Sequence, residues 1–281
     1  MTVVDAHLHV WDLERCDYPW LGPQHGPLHR SFLPDEAGRE LTTADVRTAV
    51  LVQAADSLAD TRWLLDVAQR HDWVHGVVGW VALDDPGSAR DQLDELAGPA
   101  LRGIRHLVHD DPRADFLDLS EVRRSLGLLV ERGLPLDVPD AWPTHLDAVA
   151  RLAGDLPELV VVVDHLGKPP RGGDHDELAA WERSLRAVAA HPSTVAKLSG
   201  LQQPGQPLTA AALRPVFDVA LDAFGPHRLM YGGDWPMTVG VGGYAAVHEA
   251  TRALVDTLAP DERAAIWRGT ATRTYGRELH G

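Results

Sequence analysis

Short runs of apolar, often β-branched residues alternate along the chain with longer stretches in which apolar side chains recur at i, i+3, i+4 and i+7. The first pattern reads as buried strand and the second as amphipathic helix. The runs predict eight strands, over residues 3–6, 49–54, 74–83, 101–107, 134–138, 159–163, 195–198 and 229–231. Helical spacing covers 58–70, 117–132, 144–153, 176–190, 208–224, 244–258 and 261–275. Gly133 and Gly154 stand where two of these helices should stop. Alternation of this kind implies βαβ units and a parallel sheet. Eight units in 281 residues predict an α/β fold of the (β/α)8 TIM-barrel type, since one such barrel needs about 250 residues. A single domain is expected over 1–281.

One stretch breaks the alternation. Residues 12–43 are rich in Pro, Gly and His and show no clear period, so they are expected to form a long loop after the first strand. In a barrel that loop lies over the C-terminal face, where active sites sit, and a partial lid is the expected role.

Composition narrows the possible classes. The formal charge of −15 argues against nucleic acid and anionic membrane surfaces as partners. No apolar run approaches the roughly 18 residues of a membrane span. The first residues read as a strand and not as a signal peptide, so a cytoplasmic protein is expected. The single cysteine, Cys16, leaves stability to packing. A small-molecule ligand is the expected partner, and the sequence leaves self-association open.

Candidate chemistry collects at strand ends. His7 and His9 are two residues apart where the first strand stops, so both side chains should face one side and offer half a site for a divalent metal. Four valines at 160–163 make a buried strand that runs directly into Asp164 and His165. The two could be functional, or could cap and satisfy the following turn. Gly232 and Gly233 permit close backbone approach just before Asp234 at the end of the last strand. In a closed barrel the last strand neighbours the first, which would bring Asp234 beside His7 and His9. Arg105 and His106 end another strand. One of them should point inward, either to bind a carboxylate or polarise a carbonyl, or to make a structural ion pair. Lys197 is expected in a salt bridge inside the barrel. Dinucleotide, P-loop and Gly-x-Ser-x-Gly signatures are absent from the sequence.

Five stretches together resemble the amidohydrolase superfamily, in its amidohydrolase-2 branch of TIM-barrel metal-dependent hydrolases and sugar-lactone lactonases. They are Asp5-Ala6-His7-Leu8-His9 with Trp11 and Asp12, Arg102-Gly103-Ile104-Arg105-His106, Val163-Asp164-His165-Leu166-Gly167-Lys168-Pro169, Lys197-Leu198-Ser199-Gly200-Leu201, and Arg228-Leu229-Met230-Tyr231-Gly232-Gly233-Asp234-Trp235-Pro236. Asp137 fits the family's strand-end aspartate, whereas His109 and Val138-Pro139-Asp140 depart from its pattern.

The resemblance implies a lactonase acting on a sugar acid lactone such as fuconolactone or rhamnonolactone. It implies a divalent metal, zinc above all, held by His7, His9, His165 and Asp234. Asp234 would then be the general base, with His165 and Arg105 also catalytic. A route without metal stays open, in which the histidines and Arg105 polarise the carbonyl. Trp11, His106, His109, Trp142, Lys168 and Trp235 are the expected substrate contacts. Two alternatives stand beside the lactonase: a metal-dependent decarboxylase of an aromatic acid on the same scaffold, and a barrel that binds a metabolite without turnover.

Overall fold

Each of the eight apolar runs contributes a strand, and the strands pair in parallel in chain order. They are β1 (Val4–Leu8), β2 (Thr48–Val52), β3 (Val74–Gly79), β4 (Leu101–Arg105), β5 (Leu136–Val138), β6 (Val161–Val163), β7 (Thr194–Leu198) and β8 (Leu229–Tyr231). Between and after them run α1 (Pro34–Thr43), α2 (Leu58–Arg70), α3 (Pro86–Glu95), α4 (Ser120–Arg132), α5 (Leu146–Asp155), α6 (His175–Ala189), α7 (Ala210–Phe224), α8 (Gly243–Val255), α9 (Pro260–Ala264) and α10 (Thr270–Tyr275). This computed structural model describes residues 2–276. The barrel closes just past the strand ends: Asp234 N–H donates to the His7 carbonyl (2.8 Å) and His9 N–H to the Trp235 carbonyl (2.7 Å). The architecture is a single (β/α)8 barrel. Among the described residues, no helix is long and apolar enough to cross a membrane.

Strand alternation sorts the side chains. Val50, Val52, Val78, Val162, Val195 and Met230 pack together as the apolar plug inside the barrel, with Val4 and Ala6. Alternate positions such as Leu51, Val77, Leu136 and Val161 join the layer beneath the helices. Two residues further along the same inward faces come Asp164 on the path of β6 and Lys197 on β7. The site therefore rises directly from the plug. On β1 the simple alternation fails. Asp5 pairs with Ala49 but Leu8 with Leu51, so β1 carries one extra residue. A bulge of this kind re-aims the side chains beyond it. It lets Ala6 face the plug while His7 and His9 also turn inward.

The structure corrects several boundaries. Residues 34–43 of the expected loop are helix α1, opened by Pro34 with Asp35 and Glu36 in its first turn. Only Ala37 and Leu41 are buried on it, too sparse a stripe to register as periodic. Helix α3 escaped for the same reason, burying only Ala89 and Leu93 behind an Asp85 cap. The strand expected to reach residue 83 stops at Gly79 because side chains take over its ladder: Trp80 N–H donates to Thr61 Oγ1 and Ala82 N–H to Gln92 Oε1, both at 2.8 Å. The continuous helix expected over 261–275 is interrupted by a π turn at Ala265–Gly269.

What remains of the loop, residues 12–33, folds back on the barrel mouth. Trp11 and Phe32 close its base with paired backbone hydrogen bonds of 3.0 and 2.8 Å. Inside the loop, Trp11 Nε1 donates to the Arg30 carbonyl, and Trp20 Nε1 to the Ala54 carbonyl at 2.7 Å. Tyr18 donates to the buried Asp60 (2.8 Å).

Candidate active site

A cavity of about 240 Å³ opens at the C-terminal end of the barrel, floored by His9, His165, Arg105 and Asp234. Trp11, Trp20 and His25 of the 12–33 loop and its base line one side of it. Lys168, Asp140, His109 and Gln202 line the other parts.

Three imidazoles converge on one carboxylate oxygen. Asp234 Oδ1 lies 3.6 Å from His9 Nε2, 3.8 Å from His7 Nε2 and 4.0 Å from His165 Nε2. The Nε2 atoms of His7 and His9 are 3.0 Å apart. Each ring is anchored through its far nitrogen. His9 Nδ1 faces the Val52 carbonyl at 2.9 Å, so that nitrogen carries the proton and Nε2 presents a lone pair. His165 Nδ1 pairs with Ser199 Oγ at 2.9 Å. His7 Nδ1 sits 3.3 Å from Asp164 Oδ1 and 3.1 Å from Lys197 Nζ.

Beneath the rings lies an ionic layer. Lys197 is fully buried and bonds Asp137 (2.6 Å) and Asp164 (2.9 Å). Tyr275 OH also donates to Asp137 (2.6 Å). Arg105 donates to Asp164 (3.2 Å) and to the Gln53 carbonyl (2.6 Å). Lys197 is thus the internal salt bridge expected from sequence. A third support, Asp5, spans the barrel seam. Its Oδ1 accepts from His7 N–H and Gly233 N–H, each at 2.9 Å, and its Oδ2 from Tyr244 OH at 2.8 Å.

Burial and neighbours set the charge states. Burial pushes His7 well below the ordinary imidazole value, and His165 below it too. Burial alone would raise Asp234, but His165, His9 and His7 around it outweigh that and hold it well below the usual carboxylate range. Asp164 is likewise held low against its burial by Lys197 and His7. Burial pushes Asp5 up to about 7 despite its three donors. At neutral pH, neutral His7 and His165 therefore flank an ionised Asp234.

This donor set suits a divalent metal. His7, His9 and Asp234 each offer one ligand atom, all within 4.8 Å of one another. Imidazole nitrogen with carboxylate oxygen is zinc-type chemistry, and ligands of a tetrahedral ion with bonds of about 2.0 Å lie a little over 3 Å apart. The lone pair of His9 pointed at His7 Nε2 is the feature a cation would satisfy. A second group of ligand type, His7, Asp164 and His165, shares a ring with the first, but Lys197 and Arg105 already occupy its carboxylate.

The expected substrate contacts divide. Trp11, His109 and Lys168 line the cavity. His106 does not: it stacks on Phe116 with ring centroids 3.9 Å apart, held by Asp111 (2.9 Å) and Asp56 (3.1 Å). Of the Arg105 and His106 pair, the arginine is the one that faces in. Trp235 is buried edge-on to Phe32 and supports the loop from below. Trp142 packs against the outer core, its backbone N–H donating to the Gly167 carbonyl (2.8 Å). Neither tryptophan lines the cavity. Sequence reasoning gave no role to Gln202, which donates to Asp234 Oδ2 at 2.6 Å, or to Trp20 and His25. Gln202 stands directly after the Lys197 to Leu201 stretch, and that adjacency was the available signal.

Comparison with known proteins gives a consistent picture. The family model described as amidohydrolase matches residues 4–277. An L-fucono-1,5-lactonase of Burkholderia multivorans is 36% identical over 284 residues, covering 97% of this chain and 95% of that protein. An L-fucono-1,5-lactonase of Burkholderia ambifaria is 32% identical, covering 97% and 94%. The crystal structure of a Burkholderia multivorans amidohydrolase with bound zinc superposes with a TM-score of 0.90 at 33% identity, over 99% of this chain and all of that one.

Proposed function

The chain belongs to the amidohydrolase family, and we infer that it is a lactonase that opens a sugar-acid 1,5-lactone by water attack, L-fucono-1,5-lactone and its close stereochemical relatives being the substrates. The observation that carries this reading is the convergence of three imidazoles on the ionised Asp234 at the base of a cavity sized for one sugar ring, with Arg105 also in its lining. Two relatives above 30% identity are named L-fucono-1,5-lactonases, which favours this reading over the aromatic-acid decarboxylase and over a barrel that only binds.

In the proposed reaction, the lactone carbonyl rests against Arg105 and His165, whose N–H groups polarise it. Asp234 Oδ1 is 3.6 Å or more from His7, His9 and His165, beyond hydrogen-bond reach, so its lone pair is free to take a proton from water. Gln202 fixes the other oxygen and with it the direction of the carboxylate. As the C–O bond of the ring breaks, the proton on Asp234 passes to the leaving alkoxide. Trp11 and Trp20 give the ring flat apolar walls. His7, His9 and Asp234 would hold a divalent ion, with His165 beside them and zinc the favoured metal, and that ion would supply Lewis-acid polarisation and a more acidic water. A small-molecule enzyme of this kind would work in the cytoplasm.

The test is acid release from a panel of sugar lactones, followed with a pH indicator, with and without chelator. Hydrolysis of 1,5-lactones is the expected result. Absence of acid release from every lactone, with carbon dioxide formed from aromatic acids, would replace the reading with the decarboxylase. Chelator-insensitive turnover would remove the metal and leave Asp234, His165 and Arg105.

A further inference from the structure

Backbone strain marks the cavity. Six non-glycine residues among those described have positive φ, and four of them line it: Asp140 (42°), His165 (58°), Lys168 (65°) and Asp234 (50°). This region is costly for a residue with a Cβ, and such residues persist where the surroundings hold them for a purpose. The proposed reaction accounts for His165 and Asp234. It leaves Asp140 and Lys168 without a task.

These two face each other across a gap. Lys168 Nζ stands 3.9 Å from Asp140 Oδ2. A carboxylate and an ammonium free to meet close to about 2.8 Å. Lys168 is held back because its Nζ donates to the Gly200 carbonyl at 2.9 Å. The other carboxylate oxygen, Asp140 Oδ1, has no hydrogen-bond partner. That oxygen is enclosed by protein, but Asp140 and Lys168 both line the cavity, and the gap between Oδ2 and Nζ is the feature a substrate group would fill. A hydroxyl fits such a gap, since it donates to the carboxylate and accepts from the ammonium at once.

We propose that Asp140 and Lys168 form the hydroxyl-reading end of the cavity and determine its specificity for neutral, polyhydroxylated rings. The proposal deepens the lactonase reading and rests on it for the substrate class.

Two measurements on the wild type, Asp140→Ala and Asp140→Asn test it. Asparagine tolerates positive φ and guards against a folding defect. The first is calorimetric titration with a 1,5-anhydro sugar alcohol, which has the ring hydroxyls and no ester. The wild type should bind it, with affinity falling about 10- to 100-fold in Asp140→Ala, as for loss of hydrogen bonds to a charged group. The second is kcat/KM for a sugar 1,5-lactone against δ-valerolactone, whose ring has no hydroxyls. The loss for the sugar lactone should be at least tenfold greater than for δ-valerolactone and should lie mainly in KM. No binding of the polyol by the wild type, unchanged binding in both variants, or equal losses on both lactones would overturn the proposal. Failure of the wild type to open either lactone would instead overturn the lactonase reading, with the titration still deciding the hydroxyl site.

Discussion

The backbone N–H of Asp234 donates to the carbonyl of His7 at 2.8 Å, so the candidate base and the first of the three rings are joined through main chain as well as through the site. Their relative position is a property of the barrel seam and not of flexible side chains. Asp234→Asn keeps that bond and the side-chain shape while removing the proton acceptor. Its kcat should fall by about 10²- to 10⁴-fold, the usual contribution of a positioned base, with the thermal midpoint close to wild type. Near-normal turnover would remove Asp234 from the chemistry.

The charge states predict a pH profile. Burial lowers His7 and His165 below 6.5, so both are neutral at and above that pH, and Asp234 is ionised throughout. Protonating either imidazole removes a lone pair the site uses. Because the folded values lie below 6.5, that loss occurs only as pH falls beneath it. Asp5, pushed up by burial to about 7, takes up its proton first and weakens its hold on the His7 and Gly233 N–H groups, so kcat/KM should decline on the acid side in two stages, with the imidazole stage below 6.5. A profile with no further decline below 6.5 would contradict the imidazole assignment.

Gly200 should tolerate no side chain. Its φ is +57°, and a Cβ there would be driven into the His165 ring. Gly200→Ala must displace that ring or the backbone, and misplacement by about 1 Å can cost on the order of 100-fold. A drop of this size in kcat/KM, with the far-ultraviolet circular dichroism unchanged, is expected. Wild-type activity would show that His165 is free to move.

Lys197→Met should damage the fold more than the chemistry. The substitution leaves Asp137 and Asp164 buried without their shared cation, and breaking a buried pair in this way costs about 3–5 kcal/mol. Urea denaturation should show that loss. A change within experimental error would mean that Arg105 and Tyr275 suffice to hold the layer.

Metal content gives an independent readout. His9→Ala should lower the zinc retained after dialysis, measured by atomic emission, because His9 Nε2 carries the best-defined lone pair of the group. Wild-type metal content in the variant would exclude His9 as a ligand.

The barrel was legible because each strand is a dense apolar run bracketed by polar residues, as at 160–163 before Asp164. The site was legible for the same reason: His7, His9, His165 and Asp234 lie at or just beyond the ends of such runs, and closure of the barrel unites them. Elements that bury only two side chains left too faint a trace, which is why α1 and α3 went unread. The direction of side chains beyond strand ends was also hidden. Whether Arg105 or His106 faces inward depends on Asp164 and Phe116, which draw the two residues to opposite sides. Trp142 and Trp235 suggested substrate contacts by type alone, whereas Trp20 is the tryptophan that joins Trp11 in the cavity lining, anchored on the Ala54 carbonyl.

The hydroxyl of Tyr275 reaches the carboxylate of Asp137, which holds Lys197, which in turn touches His7. This relay joins β5, β7 and β1 to α10, the last helix described, so the orientation of His7 is fixed in part by a helix that never reaches the cavity.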